Sequence, residues 1–450
     1  MSKPVFTHTQ DQLKQIAQDM LRFAREKGAS DAAVEISEGG GLSISVRKGK
    51  IETIEQNRDK GIGITVYIGQ RRGNASTSDF SEQALRDSVD AAYNIARFTA
   101  EDDCAGLPEA DLLEMAPLDL KMCYPWLVTA EEAIELAKRT EAAAFAVDKR
   151  ITNSEGSSVH AQQSHFVAAN SRGFMGGYPV SRHTISVAPI AGRGAKMQRD
   201  DWYSSHRNAK KLAEPEAIGR YAAERALAKL NARKLDTRKC PVLFEAPLAA
   251  GLLGALVQAT SGGALYRKSS FLLDSLGTQI FPSHIQVQED PHVIGAVGSS
   301  PFDDEGVKTQ KRNIVTDGVL QGYFLSTYSA RKLGMQTTGN AGGSHNLSLT
   351  SSLTKRADNF VGMLKKMGTG LLVTELMGQG VNYVTGDYSR GASGYWVENG
   401  VIQYAVEEIT IAGNMREMFQ QIAAVGSDSL IRGSKQTGSI LIESMTIAGS

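Results

Sequence analysis

Apolar residues return at helical spacing at the start of the chain. Leu13, Ile16, Met20, Leu21 and Ala24 line one face and Gly28 follows as a stop, predicting a helix over residues 11–27. The period then shortens. Residues 32–36, 42–46, 51–54 and 62–68 are rich in Val and Ile, and Gly39-Gly40-Gly41, Lys48-Gly49-Lys50 and Lys60-Gly61 separate them, predicting four short strands in a meander. A further strand at 74–77 leads into a second helix entered through Ser78, Asp79 or Ser81. Its inner stripe is Ala84, Leu85, Ser88, Val89, Ala92 and Ile95.

From residue 100 to 127 the chain turns acidic, and Pro108, Pro117 and Pro125 interrupt any helical run, so this stretch reads as a long surface connection. Thr129 and Glu132 have the spacing of a capping box and open an alanine-rich helix reaching about residue 148. Strand-like runs around Val159, at 166–169 and at 184–187 follow, then a helix over 215–230 with Pro215 in its first turn. This order echoes the first unit and suggests an internal duplication. After Thr237 a strand (Pro241-Val242-Leu243-Phe244) and a short apolar helix precede many short β-segments punctuated by glycine. The expected fold is α+β: two αβ lobes with mostly antiparallel sheets, at 1–118 and 119–236, and a glycine-rich, mainly β C-terminal domain at 237–450.

A chain of 450 residues exceeds what one growing core usually serves, and 41% hydrophobic with 22% charged residues is ordinary for a globular protein. Lys+Arg and Asp+Glu both total 49, so no net field draws the protein to nucleic acid or to anionic membrane. The N-terminal residues lack the apolar run of a secretory signal, and no stretch has the length of a membrane span. Cys104, Cys123 and Cys240 show neither a CxxC pair nor metal-ligand spacing. These features point to a reducing cytoplasm, where isolated thiols are usually small core residues.

Several polar groupings could carry chemistry. His160 and His165 are five apart, but in a strand they point to opposite faces and cannot ligate one ion together. Asp303-Asp304-Glu305 offers oxygen ligands, yet consecutive acids lack the alternation of a calcium loop, and Asp303 suits a turn cap. Around Ser389 the GxSxG arrangement of a nucleophile elbow is absent. The glycine-flanked Gln379 and the loop before His345 could border a passage for a peptide. Tight turns and a locally satisfied histidine are the simpler alternatives.

Ordered runs along the chain carry a more specific signal. They include Tyr266-Arg267-Lys268-Ser269-Ser270-Phe271, Pro301-Phe302-Asp303-Asp304-Glu305-Gly306-Val307, Tyr328-Ser329-Ala330-Arg331-Lys332, Thr374-Glu375-Leu376-Met377-Gly378-Gln379-Gly380, Gly386-Asp387-Tyr388-Ser389-Arg390-Gly391 and Ile409-Thr410-Ile411-Ala412-Gly413-Asn414. Together with Gly61-Ile62-Gly63-Ile64-Thr65-Val66-Tyr67 and Lys149-Arg150-Ile151-Thr152-Asn153, they resemble the TldD/PmbA family. Its members were described as modulators of DNA gyrase and are understood as cytoplasmic metalloproteases.

The resemblance implies a metal site in the TldD branch: an HExxxH helix ahead of the Arg-Lys pair supplies two histidines to zinc and a glutamate base, and a cysteine near the C-terminus completes the set. Counting back from Arg267-Lys268, the matching positions here are Gly254, Ala255 and Ala259, and residues 425–450 contain no cysteine. None of these side chains can ligate a metal or activate water. The departure matches the PmbA (TldE-like) branch. It implies no cofactor on this chain, zinc on a TldD-like metalloprotease partner, and unfolded peptides as substrates, with peptide-antibiotic precursor maturation among the family's roles. A non-enzymatic homodimer that binds peptides or modulates gyrase is the alternative.

Overall fold

The computed structural model describes residues 6–449, which form two compact units. The first contains α1 (Gln10–Lys27), β1 (Asp31–Arg47), β2 (Lys50–Ile68), β3 (Arg71–Thr77), α2 (Glu82–Phe98), α3 (Ala130–Val147) and β4 (Ile151–Asn170). It continues with β5 (Met175–Gly176), β6 (Pro179–Ala191), β7 (Gln198–Arg199), β8 (Trp202–His206) and α4 (Pro215–Ala228). One sheet runs through it in the order β3-β2-β1-β4-β6-β7, with β5 paired to β4 and β8 to β6. The two expected αβ lobes therefore share a sheet, because β1 pairs with β4 from Ala33↔Asn170 to Val46↔Ser157.

The helices start where the sequence signals them. Thr9 and Thr129 both make complete capping boxes, and Gly28 ends α1 in the left-handed conformation at φ +101°. Met20, Phe23, Val34, Ile36, Ile64 and Val89 knit α1 and α2 to one half of the sheet, and Ile44, Val46, Ala137, Val159 and Ile218 knit α3 and α4 to the other. Two details differ from the sequence pattern. Ile95 is exposed while Ala96 is buried, so the inner stripe of α2 drifts by one position at its last turn. The 100–127 connection is also more than a surface run: Leu107, Leu113, Leu120 and Met122 are all buried.

The four short strands predicted before residue 68 are in fact two long ones. Lys48 and Gly49, at φ +50° and +71°, form the two-residue turn between β1 and β2. Gly39, Gly40 and Gly41 form no turn. They lie inside β1, hydrogen-bonded to neighbours on both sides, and a Cβ on Gly41 would sit 2.4 Å from the Ala161 carbonyl oxygen. At Gly41 the close approach of β4 excludes a side chain.

The second unit contains β9 (Arg238–Phe244), α5 (Ala246–Ala259), α6 (Gly262–Tyr266), β10 (Ile285–Asp290), β11 (Arg312–Thr316), β12 (Val319–Leu320), α7 (Thr327–Lys332) and β13 (Asn346–Ser351). After these come α8 (Phe360–Met367), β14 (Gly370–Met377), β15 (Asp387–Glu398), β16 (Val401–Asn414), α9 (Met415–Gln420), β17 (Ile422–Val425), β18 (Leu430–Arg432), β19 (Lys435–Thr437) and β20 (Ile440–Ala448). They build two six-stranded sheets, β12-β11-β10-β13-β19-β18 and β16-β15-β14-β9-β20-β17. Pairing is antiparallel except for β13 with β19 and β14 with β9, as expected of a mainly β domain. One large core runs through the unit and takes in Phe244, Leu256, Val287, Leu349, Ile411 and Ile442.

Residues 294–297 and 301–309 come late in the chain yet belong to the first unit. There Phe302 packs edge-on against Phe174, with ring centroids 5.0 Å apart, and both join Leu113 in a small core. No described helix is long and apolar enough to cross a membrane. The three cysteines are free and half-buried, and burial pushes the Cys240 thiol up to about 11.

Candidate functional site

Helix α5 follows β9 directly, with Pro247 near its start where a missing N–H costs nothing. The positions that matter are 254, 255 and 259. Ala259 is wholly buried and Ala255 nearly so, both within the apolar core. Gly254 is half-buried, and a Cβ there would lie 3.9 Å from the Cε of Lys435. Burial alone lowers the pKa of the Lys435 ammonium. A cationic stem thus covers the one position of the three that is not core.

These residues do not fit a catalytic metal, because glycine and alanine side chains carry no lone pairs. Among the described residues no group of three His, Cys, Asp or Glu is placed to hold an ion. His160 and His165 go to different partners: His160 Nδ1 is 3.0 Å from Ser43 Oγ, and His165 Nε2 is 3.4 Å from a Glu38 oxygen. Asp303 caps its own turn. Its Oδ1 accepts from the backbone N–H groups of Glu305 and Val307, both at 2.9 Å, while Gly306 takes φ +81°.

His345 lies inside a buried polar network centred on Glu289. The glutamate accepts from the His345 backbone N–H at 2.8 Å, sits 2.9 Å from His345 Nδ1, and accepts from Asn340 Nδ2 at 2.9 Å and Arg312 Nε at 2.8 Å. Burial pushes the Glu289 carboxyl up, but the His345 hydrogen bond and the Arg312 charge outweigh it and hold the group below the usual range. Gln379, by contrast, is exposed in the turn after β14. The turn is tight, since a Cβ on Gly380 would fall 1.5 Å from the Ser389 carbonyl oxygen. The two residues considered for a peptide passage thus occupy opposite environments.

Glu289 escaped the sequence reading although its signal was present: in Ile285-Gln286-Val287-Gln288-Glu289 it takes the apolar phase of an alternating strand. The partners of Glu375 were equally hidden from the sequence. The glutamate accepts from buried Lys229 at 2.7 Å and from Ser393 Oγ at 3.0 Å, a pairing across 146 residues that no local pattern encodes.

A second feature lies in the first unit, on the sheet face turned away from α1 and α2. Inward residues Val34, Ile36, Ile64 and Val66 are core, so their neighbours face the other way. Register places Thr65, Ala33 and Asn170 in one cross-strand row and Gly63, Glu35 and Ala168 in the next. These two rows carry small and polar side chains, while Phe166, further along β4 on the same face, packs with Phe174 and Phe302. A cavity of about 290 Å³ opens on it, lined also by Phe174, Asp304 and Glu305, and a shallower hollow continues along Glu35 and Gly63 towards Lys60 and Ser78.

Models of all three domains of the PmbA/TldA metallopeptidases match the chain: domain 1 at residues 32–96, the central domain at 123–230 and the C-terminal domain at 237–449. The chain belongs to the PmbA/TldD metallopeptidase family. It is 48% identical to the metalloprotease PmbA of Escherichia coli O157:H7 over 439 residues, 97% of each chain. To the PmbA homologue of Haemophilus influenzae it is 45% identical over 441 residues, 98% of this chain and 97% of the other. A crystallised protein of Bacteroides thetaiotaomicron VPI-5482, named as a candidate modulator of DNA gyrase, superposes with a TM-score of 0.91 at 28% identity, covering 98% of this chain and 99% of the other.

Proposed function

We propose that this chain is the PmbA/TldE-like subunit of a cytoplasmic heteromeric metalloprotease, whose zinc is held by a TldD-like partner and whose substrates are unfolded peptides, peptide-antibiotic precursors among them. The observation that carries the reading is α5: family membership spans the chain, yet Gly254, Ala255 and Ala259 stand where donors are needed, and two of the three are core. Hydrolysis then requires ligands from elsewhere, while this chain contributes fold and binding surface. The test is to measure zinc content and peptidase activity of the purified chain alone and mixed with a TldD-like partner. Zinc and turnover are expected only in the mixture; zinc-dependent turnover by the lone chain overturns the proposal.

A non-enzymatic peptide binder is the second reading, favoured by one observation. Residues 50–60 of β2 are exposed, and β3 pairs with β2 only over residues 62–68, so a long edge is open to strand addition. Recovery from native lysate separates the readings: co-purification with a TldD-like protease supports the first, and recovery of a self-associated peptide binder alone supports the second.

A further inference from the structure

We propose that the helix-free face of the first unit's sheet is a binding groove for an extended peptide, and that its cavity at Glu35 receives a lysine or arginine side chain. The charge of the lining decides the ligand class. Glu35, Asp304 and Glu305 line the cavity, and no lysine, arginine or histidine does. The Glu35 carboxylate is exposed on the open face and makes no hydrogen bond or ion pair with the described residues. A cation entering there gains attraction at little further desolvation cost to the protein.

A second observation points to a ligand and not merely to an acidic surface. Asn170 lines the same cavity and is about nineteen-twentieths buried, at 5% exposed. Its Oδ1 accepts from the backbone N–H groups of Arg172 and Phe174, which fixes the flip and leaves Nδ2 directed elsewhere. That nitrogen donates to none of the described residues. An amide donor in the cavity wall beside carboxylates suits a group that presents a carbonyl oxygen and a cation together, as a lysyl or arginyl residue within a peptide does.

Size and shape narrow the choice. About 290 Å³ lies at the lower limit of ligand pockets, which run from about 300 to 1,000 Å³, so the cavity is matched to one residue. The hollow that continues from Glu35 and Gly63 gives neighbouring residues a path along the sheet. A bound metal ion is a poor fit, because no three acidic or imidazole groups among the described residues converge on one point. An ammonium or guanidinium on a flexible stem can reach the Glu35 carboxylate while its backbone follows the sheet. The motif from Pro301 to Val307 thereby gains a role: Asp303 holds the turn while Asp304 and Glu305 line the cavity.

The groove is independent of the erased metal positions, so its test uses this chain alone. The test titrates fluorescently labelled, terminally blocked pentapeptides Ala-Ala-X-Ala-Ala, with X as Lys, Arg, Leu or Glu, into the full chain and follows anisotropy. The Lys and Arg peptides are expected to bind at least tenfold more tightly than the Leu and Glu peptides. Glu35→Gln, at an exposed position, should remove most of that preference. Gly63→Leu should block all four peptides at unchanged Tm, since a Cβ at 63 meets nothing within 4 Å and the strand there is extended. Equal binding of the four peptides, no binding of any, or a Lys preference untouched by both variants would overturn the proposal. Failure here leaves the partner-dependent protease reading standing, because zinc and turnover in the mixture are measured separately.

Discussion

Helix α5 and the open face of the first sheet are two surfaces on which small residues gather, and they differ in what surrounds them. On α5, Ala255 and Ala259 are sealed into the largest core of the second unit, and the Lys435 stem lies over Gly254. On the sheet, Gly61 and Gly63 meet nothing within 4 Å. Small side chains therefore mean two things here. At Ala255 and Ala259 they are packing, buried among apolar neighbours. On the sheet they keep a hollow open, at the cost of burying less apolar surface. A face that forgoes burial without an evident structural return is where a ligand belongs.

The largest expected effect lies on the closed side. Glu289→Gln leaves the largely buried Arg312 guanidinium without its counter-charge, and removing one partner of such a pair costs about 3–5 kcal/mol. Urea denaturation should show a loss in that range; near-neutrality would mean the network does not hold β10, β11 and the loop before His345 together.

Next come attempts to reverse closure. Ala259→His forces an imidazole into a wholly buried site and should cost about 1–3 kcal/mol by overpacking. Gly254→His, Ala255→Glu and Ala259→His combined should destabilise further and still bind no zinc by elemental analysis. Stoichiometric zinc in the combined variant would show that α5 had merely lost its ligands and not its geometry. Gly73→Ala belongs to the same size class, since a Cβ there would fall 2.1 Å from the Ala92 carbonyl oxygen.

Substitution on the open face should go the other way. Gly61→Ala removes unfolded-chain entropy in an extended strand with free space, for a gain of about 0.5–1 kcal/mol, readable as a raised Tm. A loss would mean the face is tighter than its register implies.

The smallest effect concerns pH and the inward side of the same sheet. Burial pushes the Glu38 carboxyl up, but N–H donation from the His8 backbone and hydrogen bonds with the His8 and His165 side chains outweigh it, so its pKa falls below the ordinary 4.5. A depressed carboxylate stabilises the fold above its unfolded pKa, and that stability is lost as pH falls through the folded value. Glu38→Gln should flatten the acid limb of the stability curve below pH 4.5 relative to the parent chain. An unchanged limb would show that the carboxylate is not held by these partners.

Much of the fold was legible locally. The cap at Thr129, the choice of Ser78, Asp79 or Ser81 that the structure resolves to Ser81, and the stop at Gly28 were readable because a helix end is satisfied by side chains a few residues away. The triglycine at 39–41 misled because glycine serves both turns and crowded strands, and only the approach of β4, more than a hundred residues later, decides between them. His345 looked partnerless for the same reason: Glu289 precedes it by 56 positions. The alternation that places Glu289 in an apolar phase was the one local clue to that network.

What the sequence alone determined is the chemistry that α5 cannot perform. The side chains of Gly254, Ala255 and Ala259 have no donor atoms in any conformation, so no folding could supply them there. What only the tertiary structure decided is where open space remains. The hollow beside Glu35 is assembled from β1, β2, β4 and a turn near residue 304, and long-range strand pairing, unlike side-chain identity, exists only once the chain has closed upon itself.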